Sequence, residues 1–297
     1  MQRRSGAQVN RQAASRLEPF GSLALADGSG WHIAAGDEAA SGIVSRLIEA
    51  MQLGPAVSRS VRQGFPRLRS RQAGQAPLPS ATLRRNPPLA GWRGSGQALE
   101  TGPSASLRTG RGEAPLAGRV HRVLVLVDGN QAARSSLPPE DDGTVTCVLE
   151  PAGDDDGLAM QLMHLSLAIA RQAEAGGAVL LHGALADRDE RGVILAGIGG
   201  VGKTTASRRL PPPWRSWCDD TTLVVRDQKG AYWAHPWPTW SDFMFGGPGG
   251  SWDVQRAVPL KGVFFLSRAP EEQVESVGVG QGVCLLVESA EQASLMM

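Results

Sequence analysis

Apolar residues recur along this chain with two different periods, and each block predicts an element. From Phe20 to Ile33 apolar positions alternate on either side of Asp27-Gly28, the pattern of a β-hairpin. The period then changes. Ile43, Val44, Leu47, Ile48 and Met51 fall on one helical face, Asp37 stands where an N-cap belongs, and Gly54-Pro55 ends the run. Residues 17–55 therefore read as a small β-β-α unit, too small to be stable by itself. Periodicity lapses after that and returns at Val120. Val123-Leu-Val-Leu-Val127 predicts a buried strand closed by Asp128-Gly129, with residues 144–149 as its neighbour. Leu158, Leu162, Leu165 and Ile169 share one face of a helix over residues 158–174. The preceding Asp154, Asp155 and Asp156 read as charges favoured at a helix N-terminus rather than as a metal site.

The remaining elements are shorter. Residues 178–181 predict an apolar strand delivering His182-Gly183, and a turn at residues 187–190 leads to a second strand from Gly192. Residues 206–210 continue a helix that Pro211-Pro212-Pro213 must end. Thr221 to Val225 is a β-branched strand. The stretch from Tyr232 to Trp252 mixes aromatics with Pro and Gly, which excludes long helices and predicts an aromatic loop lidding a site. His235 within it, like His164 in the preceding helix, is expected to be structural. Residues 263–266 predict a buried strand, and residues 283–297 a terminal helix carrying Leu285, Leu286, Leu295 and Met296.

Composition changes this picture in two places. Residues 1–16 are polar and Arg-rich, a disordered tail. Residues 56–118 hold Arg, Pro, Ser and Gly, with the arginines from Arg59 to Arg111 offset only by Glu100 and Glu113; this is a low-complexity basic insertion or linker. Net charge over the chain is +1, so nothing calls for nucleic acid as a partner. Cys147, Cys218 and Cys284 match neither a disulfide framework nor a zinc spacing, which points to a reducing cytoplasm. No apolar stretch approaches the ~20 residues that span a bilayer, and the charged N-terminus lacks the apolar core of a signal peptide.

The candidate chemistry lies in residues 192–207. An apolar run leads into Gly197-x-x-x-x-Gly202-Lys203-Thr204, the strand, glycine-rich turn and helix of a phosphate loop. Gly197, Gly199, Gly200 and Gly202 free consecutive N–H groups to face an anion, and the helix opening at Lys203 adds the positive end of its dipole. Lys203 supplies a point charge for terminal phosphates and Thr204 a hydroxyl for magnesium, with Thr205 in the same nucleotide-binding set. Arginine fills most basic positions of this chain, yet position 203 keeps lysine. Soon after come Asp219-Asp220. Paired carboxylates beside a triphosphate can hold Mg2+ or accept a proton from an attacking hydroxyl.

His182-Gly183, the loop from Gly197 to Thr204, and Asp219-Asp220 together resemble the catalytic domain of bacterial HPr kinases, a fold shared with phosphoenolpyruvate carboxykinases. The run from Leu181-His-Gly-Ala-Leu through Lys203-Thr-Thr-Ala-Ser-Arg-Arg-Leu-Pro-Pro-Pro-Trp to Trp233-Ala-His-Pro-Trp-Pro-Thr-Trp is more specifically similar to the SynChlorMet cassette protein C (ScmC) family. So are Leu25-Ala-Asp-Gly-Ser-Gly-Trp and Ala50-Met-Gln-Leu. The resemblance covers residues 17–55 and 119–297. It implies an α/β fold: an HPr kinase-like nucleotide-binding domain with a mixed sheet over residues 119–297, behind the N-terminal β-β-α unit.

The resemblance also implies ATP and Mg2+ as cofactors. Lys203 would bind phosphates, Thr204 would hold magnesium, Asp219 and Asp220 would share metal and base roles, and His182 would line the phosphate pocket. The family travels with radical-SAM enzymes and a small carrier-like protein in peptide-modifying cassettes. That implies a phosphotransferase acting on a peptide or carrier; a non-catalytic nucleotide-dependent partner is the alternative. HPr kinase hexamers leave a homo-oligomer open. Two departures stand out. The Glu-Ile-Arg-Gly-like signature of HPr kinases has no counterpart, Phe245-Gly-Gly-Pro-Gly-Gly occupying that neighbourhood, and the chain ends where further core is expected. A GTPase-like switch is disfavoured by the lack of an Asn-Lys-x-Asp signature.

Overall fold

The computed structural model describes residues 21–54, 106–107, 120–127, 144–152, 154–239, 250–271 and 273–295. The expected N-terminal tail and nearly all of the basic tract lie outside these residues.

The Asp27-Gly28 hairpin forms, β1 (Gly21–Ala24) antiparallel to β2 (Gly30–Ala35). Asp27 closes its turn by accepting from the Ser29 amide and hydroxyl. Helix α1 (Glu38–Ala50) follows, and Asp37 caps it by accepting from Ala40 N at 2.7 Å. The second Asp37 oxygen accepts from Val127 N, far along the chain. Strand β2 pairs in parallel with β4 (Val120–Val127), which pairs in parallel with β5 (Thr144–Leu149). A two-residue strand β3 (Ser106–Leu107), inside the tract read as linker, borders β5. The N-terminal unit is therefore one edge of a five-stranded mixed sheet ordered β1-β2-β4-β5-β3, and the expected boundary between residues 17–55 and 119–297 is crossed by backbone pairing. A hairpin with one apolar face needs more strands to cover it, and β4 and β5 supply them.

Helix α2 (Asp155–Ala175) is capped by Asp154, which accepts from Gly157 N, so the three aspartates do serve the helix start. The helix buries Leu162, Leu165 and Ile169, packing against α1, β5 and β6. One continuous apolar core joins both halves of the molecule.

The second sheet is built around β6 (Val179–Arg188), a ten-residue strand that runs straight through His182-Gly183 instead of stopping there. Along residues 183–188 it pairs with β7 (Arg191–Ala196). Its other edge takes β8 (Arg215–Cys218) and β9 (Thr221–Arg226) in succession. Strands β10 (Tyr232–Pro236) and β11 (Val258–Phe265) continue from β9, and β11 returns in parallel to β7, so the strands form a closed circuit. Between β7 and β8 lies the short helix α3 (Lys203–Arg208), and α4 (Val279–Leu295) packs on β6.

Two expectations are corrected here. Much of the described aromatic stretch is core, not lid: β10 is a strand inside the sheet, and Trp237 and Trp252 are buried, while Tyr232 at its start is exposed. Residues 240–249 lie outside the described set. Trp252 N also donates to Ala50 O, fastening this stretch to the end of α1. Aromatic area is too valuable to leave wet when a neighbouring helix can cover it. Strand β11, expected buried, is mostly half-buried, with Phe264 exposed.

Candidate functional site

Sheet register assembles the site. In β6, His182 pairs opposite Thr221 and Gly183 opposite Ala196, so one strand brings the end of β7 and the start of β9 together. The glycine of His182-Gly183 has a packing reason. A Cβ built on Gly183 would lie 2.5 Å from Ile194 Cγ2 and 3.4 Å from Ala196 Cα, so only glycine lets β7 approach. Asp219 and Asp220 fill the break between β8 and β9, beside His182.

The glycine-rich loop runs from Gly197, where β7 ends, to Gly202, which precedes α3. Gly197, Gly200 and Gly202 all hold positive φ, the left-handed region that glycine tolerates. A Cβ at Gly199, Gly200 or Gly202 would meet nothing within 4 Å, so the loop turns an open, side-chain-free surface outward. Helix α3 has only six residues, and the attraction for an anion rests on loop amides and cations more than on its dipole.

Lys203 is 5 % exposed, and its Nζ donates to Gly197 O at 3.0 Å and Ile198 O at 3.4 Å. Burial pushes the Lys203 amine below the usual lysine range, against the opposing charge and hydrogen bond of Asp220. Asp220 Oδ1 stands 3.8 Å from that Nζ and 2.7 Å from His182 Nε2. His182 Nδ1 lies 2.9 Å from Gln292 Oε1, so each ring nitrogen meets an acceptor oxygen. Gln292 Nε2 in turn donates to Glu288.

A chain of contacts thus runs from the loop through Lys203, Asp220 and His182 to α4. Asp219 is placed differently: its Oδ2 accepts from Arg208 at 3.2 Å, turned to α3. Thr204 is half-buried and Thr205 exposed. Among the described residues no cluster of three His, Cys, Asp or Glu side chains could hold a metal.

A cavity of about 580 Å3 opens beside the loop, walled by residues 197–201, by Leu266 and Arg268 after β11, and by Leu285, Ser289 and Gln292 of α4. Lys203 and Asp220 do not line it; Gln292, which does, connects to Asp220 through His182. Sequence reading missed Arg268, Glu288, Ser289 and Gln292. Glu288, Ser289 and Gln292 share a polar stretch of α4, and Arg268 follows β11, but nothing local says what they face.

The other candidates resolve into structure. His235 is fully buried; Ala26 N donates to its Nε2, and its Nδ1 donates to Val254 O. Burial lowers its pKa to about 4. His164 is half-buried on α2, its pKa lowered by burial against a pull from Glu150. Burial pushes the thiols of Cys147 and Cys218 up to about 12 and about 11, which disfavours the reactive thiolate at both. No helix among the described residues is long and apolar enough to cross a membrane.

The family model described as SynChlorMet cassette protein ScmC matches residues 145–297, just over half of the chain. The chain belongs to the ScmC family. The matched span takes in β5 through α4, and with them every residue of the contact chain from Gly197 to Gln292. Among curated proteins nothing matches. The basic tract and the N-terminal hairpin fall outside the ScmC match, although the hairpin shares a sheet with β5 inside it.

Proposed function

We propose that this ScmC protein is an ATP- and Mg2+-dependent phosphotransferase of the HPr kinase-like class, acting on a hydroxyl of a peptide or carrier protein within a peptide-modification cassette. The observation that carries the proposal is one carboxylate, Asp220, held between a buried lysine at a glycine-rich loop and a histidine. The residues present fit a bound nucleotide. The loop surface is free of side chains, and the Lys203 ammonium rests on neutral carbonyls that an anion would outbid. When bound, MgATP would supply the phosphoryl group to be transferred.

The chain's own residues would do the rest. Loop amides and Lys203 neutralise the terminal phosphates. Thr204 and Asp219 are the oxygen donors for the metal, which requires Asp219 to leave Arg208. Asp220 accepts the proton of the attacking hydroxyl, while His182, anchored by Gln292, fixes the carboxylate's direction.

Labelled ATP and candidate cassette peptides test this directly. Lys203→Ala should abolish nucleotide binding and transfer with the fold intact, and Asp220→Asn should keep binding but lose at least a hundredfold in rate. Absence of transfer to every cassette peptide and carrier would reject the kinase reading. The pairing of Asp219 with Arg208 favours one alternative, a nucleotide-dependent partner protein without chemistry. For that protein Asp220→Asn would change neither binding nor partner recognition.

A further inference from the structure

The carbonyls of the phosphate loop hold two cations. Lys203 occupies Gly197 O and Ile198 O at the start of the loop, and Arg268 donates from its guanidinium to Gly200 O at 2.7 Å at the loop's tip. Arg268 leaves the end of β11 and is exposed, lining the cavity beside residues 197–201. A peptide carbonyl is a neutral acceptor that uses a fraction of what a guanidinium offers an anion. Among the described residues Arg268 makes no ion pair. The one carboxylate on the cavity wall, Glu288, accepts from Gln292.

We infer that Arg268 is a second phosphate-binding cation, receiving the polyphosphate of a nucleotide on the cavity side of the loop. This rests on the nucleotide reading above and deepens it by assigning selectivity. A planar fork beside the loop tip pairs with two phosphate oxygens at once, so it favours a nucleotide over a nucleoside, and the charge it meets grows with each added phosphate. Lys203, bonded to the carbonyls at the start of the loop, contributes a point charge to the same anion, with Asp220 Oδ1 3.8 Å from its Nζ. The two cations bracket the loop: one secures the phosphate against the protein interior, the other closes it from the cavity. The competing structural role is narrower. Arg268 would pin the loop through Gly200 O and touch no ligand.

Calorimetry with ATP, ADP, AMP and adenosine on the full chain separates the two. Arg268→Gln removes the charge and, two side-chain atoms shorter, also draws the donor back from Gly200 O, whereas Arg268→Lys keeps a charge and a donor. Arg268→Gln is expected to weaken ATP and ADP binding about tenfold or more while leaving adenosine within twofold, and Arg268→Lys to restore part of the loss. Equal losses for ATP and adenosine, or ATP affinity within twofold of wild type, would overturn the inference in favour of loop pinning or no role. Lys203→Ala is measured alongside. If it weakens ATP and Arg268→Gln does not, only this inference falls; if wild type binds no adenine nucleotide, both readings fall together.

Discussion

Lys203 shows most plainly what burial does to a single charged group. Taking an ammonium out of water disfavours its charged form, and Asp220 recovers only part of the cost. A polyphosphate would favour the charged form again, so under the proposed function nucleotide binding would be linked to proton uptake at this amine wherever it is partly deprotonated. The sign follows: with a lowered pKa, Lys203 loses its proton earlier than an ordinary lysine as pH rises. Nucleotide affinity is therefore expected to be full at neutral pH and to fall on the alkaline side before the ordinary lysine range is reached. Calorimetry in buffers of different ionisation enthalpy checks this, and Lys203→Arg, whose guanidinium keeps its charge, should flatten the profile. The loop residue itself was legible from sequence because the pattern is local. Its state was not, since burial and Asp220 both come from distant strands.

Strand pairing decides what the site elements do. His182-Gly183 is visible as a dipeptide, but its purpose emerges from β6, whose register puts histidine beside Asp220 and glycine against β7. Gly183→Ala places a methyl within 2.5 Å of Ile194 Cγ2, with backbone atoms of Leu195 and Ala196 close behind. The expected cost is about 1–3 kcal/mol in chemical denaturation. Because β7 feeds the loop, nucleotide affinity should drop with it, and Ile194→Ala in the same chain should recover part of the stability. The hairpin, the Asp37 and Asp154 caps and the short α3 were all legible, since caps and turns work within a few residues. The length of β6 was not. Periodicity marks where apolar residues stop, whereas β6 continues because β7 and β8 pair with both its edges. Strand β10 was hidden for a related reason: its prolines and aromatics read as loop, yet the edges of β9 and β11 were there to receive it.

At the scale of the molecule, His235 joins the two sheets. It takes a hydrogen bond from Ala26 in the N-terminal hairpin and gives one to Val254, beside the end of α1. Burial holds its pKa at about 4, below the roughly 6.5 of an exposed imidazole. The unfolded chain therefore binds the extra proton first. Stability is complete above about pH 6.5 and declines as pH falls toward 4, by on the order of 3 kcal/mol from this residue alone. Denaturation midpoints across that range measure the decline, and His235→Leu should lower stability at neutral pH by about 2–4 kcal/mol while removing most of its acid dependence.

The amino-acid sequence by itself determined the glycine-rich turn between β7 and α3, the caps, the hairpin turn and membership of the ScmC family, because each of these is written in neighbouring residues. Tertiary structure alone decided that β2 pairs with β4 across the basic tract, that Trp237 and Trp252 are core, that Arg268 bonds the loop and that Gln292 meets His182. Such contacts join residues tens to more than a hundred positions apart. They arise from covering apolar faces and satisfying buried polar groups, a condition on the whole chain that no local pattern records.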